Sequence, residues 1–368
     1  MKKILIILII IVLCGCKTLN NHKKVINNKV ENVEEEVIEV KDTKKTMSIV
    51  MVGDALIHDS IYKDAYIGDN NYNFFDMFTD IGEIIKDYDL RYYNQETIIG
   101  GKDLGLSNYP LFNSPDEIGS DLVKTGFNMV SLANNHSLDK GVKGLEYSIN
   151  FWNNMDNVIT AGSYASFEDR ENPKIYETNG IKYAFLAYTI GTNGLKIKEG
   201  YEYLVNVYND ELVKQDIEKV KSDTDLIIVA MHWGNEYSHT PNNEQKRIAK
   251  YLSDLGVNLI IGSHPHVIQP IDYVGDTLVI YSLGNFISSQ RSLGLNKIIG
   301  LLVGVNINVE NDLVTFDNLK SELLYTYDEY YKNFKIIPFS KLTNDILNNY
   351  EQINEQYMNI VNSEVYYD

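Results

Sequence analysis

From Met47 onward, short apolar runs alternate with amphipathic stretches, and this alternation restricts the chain to a layered α/β domain. The runs Ser48 to Val52, Met129 to Leu132, Leu226 to Met231, Leu259 to Ile261 and Thr277 to Ser282 read as strands. Phe74 to Asp87, Val142 to Asn153, Asp210 to Ser222 and Asn243 to Leu255 read as helices. In the last of these, Ile248, Tyr251, Leu252 and Leu255 share one face. Lys174 to Thr189 reads as a hairpin turning at Asn179-Gly180. After Asn306 the chain alternates again, is rich in tyrosine and asparagine from Leu323 to Tyr331, and ends in a helix from Lys341 to about Ile360. The expected organisation is one domain over residues 47–305, with an extension, 306–368, packing on it.

The polar residues with useful chemistry lie just beyond these runs. MSIVMVGDALIH ends in Asp54 and His58, and DYDLRYYNQETI carries Glu96. GFNMVSLANNHSLDKG ends in Asn134, Asn135, His136 and Asp139; LIIVAMHWGNEY ends in His232 and Glu236; LIIGSHPHVIQP ends in His264 and His266. Ligands of α/β folds bind outside the carboxyl ends of strands, where loops converge. Five of the seven histidines occupy this context, which points to one shared metal site. For any one of them, a core or capping role is the alternative. Imidazole, carboxylate and amide oxygen without thiolate suit Zn, Mn or Fe and suit calcium poorly. His264 and His266 would face one cavity together if Pro265 holds the segment extended, because residues two apart on a strand point the same way.

The amino terminus, MKKILIILIIIVLCGC, has a basic start and an apolar stretch too short for a comfortable span of ~20 residues. Leu13-Cys14-Gly15-Cys16 resembles the lipobox of bacterial lipoproteins, so residues 1–16 are expected to be a signal peptide, with Cys16 carrying lipid. An uncleaved signal anchor is the other reading. Either places the domain outside the cytoplasm, near the membrane. Cys14 and Cys16 are the two cysteines of the chain, which leaves the domain without disulfide or thiolate chemistry. Residues 17–46 are charged and asparagine-rich and read as a flexible tether or a short exposed helix; His22 there is idle. A formal charge of -18 excludes a general nucleic-acid partner, which needs a basic face.

Taken together, GDALIH, SLANNHSLDKG, MHWGNEY, GSHPHVIQ and YSLGNF resemble the CapA family of poly-γ-glutamate capsule synthesis proteins. The order Asp-x-x-x-His, Glu, Asn-His, His, His-x-His is similar to the calcineurin-type metallophosphoesterase arrangement. The resemblance covers roughly residues 48 to 290. It implies a layered metallophosphatase-like fold, a β sandwich flanked by helices, with a C-terminal appendage. It also implies two divalent transition-metal ions. Asp54, His58, Glu96 and His266 would hold the first; Glu96 as bridge, Asn135, His232 and His264 would hold the second. His136 would be the general acid, oriented by Asp139. Two departures stand out: the usual Asp-x-His is Asp54-x-x-x-His58, and the usual bridging Asp is Glu96.

Three functions fit these features. The first is a lipid-anchored dimetal hydrolase, phosphoesterase-like, in capsule or envelope polymer metabolism. The second is a non-catalytic assembly factor that uses the same fold to hold an anionic polymer or a capsule synthase subunit. A surface adhesin or solute-binding lipoprotein explains the lipobox but not the histidines. Trp233-Gly234 reads as packing or a cavity wall, and Asn285 as the floor of the site or a turn cap. The chain has no GxSxG elbow and no GxxxxGK[ST] loop, against a serine hydrolase of the α/β type and a P-loop NTPase.

Overall fold

A computed structural model describes residues 44–367. The expected signal peptide with Cys16, and all of the expected tether up to residue 43, lie outside the described residues.

The first half of the domain opens with strand β1 (Lys45–Ala55), helix α1 (Asp59–Asp64), a small hairpin β2 (Tyr66–Gly68) and β3 (Asn71–Tyr72), and α2 (Thr79–Ile85). Three parallel additions follow: β4 (Leu90–Asn94) leads through α3 (Glu117–Thr125) to β5 (Met129–Ser131), then through α4 (Gly141–Asn153) to β6 (Ile159–Ala161). The second half runs α5 (Phe167–Glu171), β7 (Ile175–Thr178), β8 (Ile181–Thr189), α6 (Asp210–Val220), β9 (Leu226–His232), α7 (Asn243–Leu255), β10 (Leu259–Ser263), β11 (Ile271–Val274) and β12 (Thr277–Ile280). The chain then returns to the first sheet with β13 (Asn285–Ile287), β14 (Ile299–Glu310), β15 (Leu313–Tyr327) and β16 (Lys335–Pro338), and ends in α8 (Tyr350–Val361).

These strands form an eight-stranded sheet, β16-β15-β14-β1-β4-β5-β6 with β13 against the end of β1, and a six-stranded sheet, β11-β12-β10-β9-β8-β7. Their side-chain alternation builds the layers. On β1, Met47, Ile49 and Met51 join the core between the sheets, whereas Val50 and Val52 join the core beneath α2 and α3. On the second sheet, Ile228 and Ile261 face the first sheet, whereas Val229 and Ile260 face α6 and α7. The result is the expected β sandwich flanked by helices.

Local chemistry sets several boundaries. Asn242 and Gln245 form a reciprocal capping box that starts α7, and Gly256, at φ 95, ends it. Asn179 and Gly180, at φ 52 and 77, make the tight turn between β7 and β8. Differences from the sequence reading have local causes. Lys45 and Thr46 belong to β1 rather than to a tether, since they pair with Val309 and Asn308 of β14. The segment read as one helix from Phe74 begins as a 3-10 turn, Phe75–Phe78, before α2. The expected boundary between 305 and 306 falls inside β14, whose partners on either side are β1 and β15. The last helix starts at Tyr350 rather than Lys341, after a segment with short turns at Phe339–Lys341. Among the described residues, no helix is long and apolar enough to cross a membrane.

Candidate metal centre

The carboxyl ends of β1, β4, β5, β9 and β10 lie side by side across the two sheets, and each delivers one part of the site. Gly53 allows β1 to reach that point: a Cβ there would sit 1.8 Å from the carbonyl oxygen of Gly284. The Asp54 amide then donates to that same oxygen at 3.0 Å. Asp54 is fully buried, and its Oδ1 accepts from Asn94 Nδ2 at 2.7 Å while Oδ2 accepts from the His264 amide at 3.1 Å. Burial outweighs these hydrogen bonds and raises the Asp54 carboxyl to about 7.

Glu96, just past β4, is fully buried, and neither of its carboxylate oxygens has a hydrogen-bond partner among the described residues. Burial, then the charges of Asp54, Glu236 and Asp139, push its carboxyl well above the usual range. Two ligand groups share this residue: Asp54, Glu96 and His266 in one, Glu96, His232 and His264 in the other. Within each, the ligand atoms lie within 4.8 Å of one another. An orphaned, buried carboxylate shared by two such groups is expensive without a cation, so the residues fit divalent metal.

The histidines are oriented through their other ring nitrogens, as metal-ligating imidazoles usually are. His266 Nδ1 lies 3.0 Å from Asn285 Oδ1, which turns Nε2 to within 3.6 Å of Glu96. His232 Nδ1 lies 2.9 Å from Ser263 Oγ, and its Nε2 lies 2.9 Å from Asn135 Oδ1 and 3.1 Å from His264 Nδ1. Asn135 Nδ2 donates to Asn193 at 3.3 Å, aiming the amide oxygen inward. Burial drives His232 well below its ordinary value, His264 to about 4 and His266 to about 3. Neutral imidazoles are what a divalent ion requires.

His264 and His266 serve different groups, but not through an extended segment. β10 ends at Ser263, and the two histidines adopt φ of 97 and 56. The turn is held by the His264 amide on Asp54 and by the Tyr237 amide on the Pro265 carbonyl, 2.7 Å away. The structure brings His58 into neither group. It stands at the N-cap position of α1 without a capping bond from its side chain, and its Nδ1 lies 3.0 Å from the Leu56 carbonyl and 3.2 Å from the Ser289 amide. Burial lowers it to about 4.

His136 and Asp139 meet as expected, Nδ1 to Oδ2 at 2.7 Å, and the same carboxylate oxygen accepts from the Phe112 amide at 2.7 Å. Phe112 also packs edge-on against the His136 ring, with centroids 4.8 Å apart. Asn134 shapes this turn: its Oδ1 accepts from the His136 amide at 3.0 Å. Sequence reading missed Asn94 and Ser263, which hold Asp54 and His232. Both sit at strand ends beside named ligands, and that position was the available signal. Trp233 is fully buried, donates to the Tyr281 carbonyl at 2.9 Å and packs in the core beneath α7, while Glu236 is exposed.

Comparison with known proteins gives the family and the fold. The family described as "Bacterial capsule synthesis protein PGA_cap" matches residues 48–290. The chain is 31% identical over 165 residues to the PGA biosynthesis protein CapA of Bacillus subtilis (strain 168), covering 45% of this chain and 43% of that protein. It is 33% identical over 186 residues to the capsule biosynthesis protein CapA of Bacillus anthracis, covering 48% and 44%. Each match spans less than half the length of the relative. Among solved structures, a phosphatase from Mycoplasma pneumoniae superposes with a TM-score of 0.50 at 17% identity, over 78% of this chain and 97% of that one. That likeness concerns the fold.

Proposed function

Because this chain belongs to the bacterial capsule synthesis family PGA_cap, we propose that its buried cluster is a two-metal hydrolytic centre acting on an envelope or capsule polymer. The bond attacked is a phosphoester or another that passes through a tetrahedral or phosphoryl-like transition state. The observation that carries this reading is Glu96, buried between two ligand groups with both oxygens unpartnered. Asp54 and His266 would hold one ion, His232, His264 and Asn135 the other, and Glu96 would bridge them. Such ions, as Mn, Zn or Fe, activate water and stabilise charge on a transferring oxygen.

The chain's own groups do the rest. Donation from His136 Nδ1–H to Asp139 orients the ring, and the imidazolium form carries a second proton, on Nε2, that it can deliver to the leaving oxygen before returning to the neutral ring. Asn94, Ser263 and Asn285 keep the ligands in one orientation. Burial excludes bulk water from the carboxylates. His58 packs on Phe112, which in turn packs on His136. By this reading the protein is a lipoprotein held at the outer face of the cell membrane through Cys16, and poly-γ-glutamate or a related anionic polymer is its partner.

Elemental analysis of the purified protein tests the centre: near two equivalents of metal in the parent should fall sharply in His264→Ala/His266→Ala. His136→Ala should retain the metal and lose turnover by roughly 10²–10⁴-fold, the scale of general acid catalysis. The relatives' names refer to biosynthesis and favour a second reading, a non-catalytic assembly factor that also works with a synthase subunit. Full capsule-forming activity in His136→Ala would select that reading over hydrolysis.

A further inference from the structure

Lys297 is a cation with no assigned task. It lies between β13 and β14, is only 9% exposed, and hydrogen-bonds through Nζ to Asn296 Oδ1 at 3.0 Å. Among the described residues, no carboxylate pairs with it. An ammonium group has three donors and is costly to bury without an anion. Part of that cost is offset by the Tyr237 ring, whose centroid lies 4.7 Å from Nζ.

Both residues are tied to the ligand turn. Tyr237 stands 6.1 Å from the His266 ring, centroid to centroid, and its amide is bonded to the Pro265 carbonyl. Its φ of 65 is unusual for a bulky aromatic residue. The Lys297 carbonyl accepts from Asn285 Nδ2 at 2.8 Å, and the oxygen of that same Asn285 amide orients His266. Tyr237 is also partly open, at 39%, so this pair lies where the buried cluster meets solvent. The charges acting on Tyr237 are negative, Glu236 first and then Glu96. A negatively charged chain approaching such a site needs a local cation.

We propose that Lys297, with Tyr237 across it, is an anion subsite on the rim of the metal centre that holds a carboxylate or phosphate of the substrate chain next to the bond attacked. This rests on the hydrolytic reading for its place beside a reacting bond, but not for the binding itself. The Lys297 ammonium supplies two further donors, and Tyr237 closes one side, so that an anionic unit docks in a fixed register.

The test is calorimetric titration of the full chain with inorganic phosphate and, separately, with glutarate, in metal-loaded and chelator-treated protein. Parent, Lys297→Met, Lys297→Arg and Tyr237→Leu are compared, with metal content and melting temperature measured for each. The expected result is a loss of affinity in Lys297→Met of roughly tenfold or more, the scale of one charge-assisted hydrogen bond, with metal content and melting unchanged. Lys297→Arg should recover part of it, and the anion with the larger loss identifies the group recognised. If Lys297→Met fails to fold, a loss in Tyr237→Leu carries the same support. Equal affinity in parent and both variants, or no binding of either anion by the parent, overturns the subsite. Absence of metal from the reconstituted parent would defeat the hydrolytic reading alone, since the chelator-treated titrations still decide the role of Lys297.

Discussion

At the scale of single residues, the site is a set of groups whose burial is unfavourable until a cation arrives. Asp54 shows this with a definite sign. Its carboxyl is raised from 3.8 to about 7 by burial. A raised carboxyl favours the metal-free fold below about pH 4 and loses that contribution as pH climbs toward 7. The histidines run the other way, their contribution fading as pH falls below about 6.5. Asp54→Asn removes the first effect and leaves the second in place. In chelator, Asp54→Asn should therefore be more stable than the parent at about pH 8, by on the order of 2–4 kcal/mol, and no more stable near pH 4. In saturating metal at pH 8 the order should reverse, because a ligand is gone. Denaturant melts of both proteins with and without chelator check this, and a parent that is the more stable of the two in chelator at pH 8 would contradict it.

At the scale of elements, the close crossing of β1 over the β13 turn is what lets Asp54 reach the cluster. Gly53→Ala would drive a methyl group into the Gly284 carbonyl oxygen, where backbone rather than a flexible side chain must yield. The expected cost is about 3 kcal/mol or more. Gly191 lies in the loop after β8, and a methyl group there would meet nothing within 4 Å, so Gly191→Ala should change stability by less than about 1 kcal/mol. Thermal melts of the two variants make the comparison. Elements with strong local chemistry could be read directly from the sequence: the Asn179-Gly180 turn carries its own φ requirement, and α7 has a cap at each end. Asp54, Glu96, His232, His264 and His266, which the structure brings together, could be picked out because strand ends repeat a pattern. The shape of the His264-Pro265-His266 turn was not, since it depends on Asp54 and Tyr237, distant in sequence. The separation of His58 from the two groups was not legible for a related reason: its spacing from Asp54 says nothing of the Leu56 carbonyl and the Ser289 amide that stand beside Nδ1.

At the scale of the whole molecule, the question is how far the domain extends. The renewed alternation after Asn306 and the tyrosine- and asparagine-rich stretch from Leu323 to Tyr331 read as an extension packing on the domain, and Asn306, Asn308 and Asp317 carry no local sign of their place. In the structure they form a ladder instead: Asn306 and Asn308 donate to the two oxygens of Asp317 at 3.0 and 2.9 Å, and Thr46 of β1 donates to Asn308 at 2.8 Å. The opposite faces of the same strands contribute Ile307, Val309, Leu323 and Tyr325 to the core between the sheets. A chain ending at residue 305 would therefore lose half of β14, all of β15 and β16, and the pairing of Lys45 to Ser48. It would also present an open strand edge to solvent, a template for aggregation. Each large apolar side chain removed is worth about 1.5–3 kcal/mol of burial, and a few of them exceed the net stability of an ordinary domain. A chain ending at residue 348 differs, because it loses α8, with its buried Tyr357 and Val361, and the segment after it, whose Tyr367 hydroxyl bonds Tyr281, but keeps every strand paired. The first truncation should give aggregated protein with no cooperative melt. The second should remain soluble and melt cooperatively at a lower temperature. Circular dichroism melts and size-exclusion chromatography separate the two, and a soluble, cooperatively melting chain ending at 305 would show that β14 to β16 are an appendage after all.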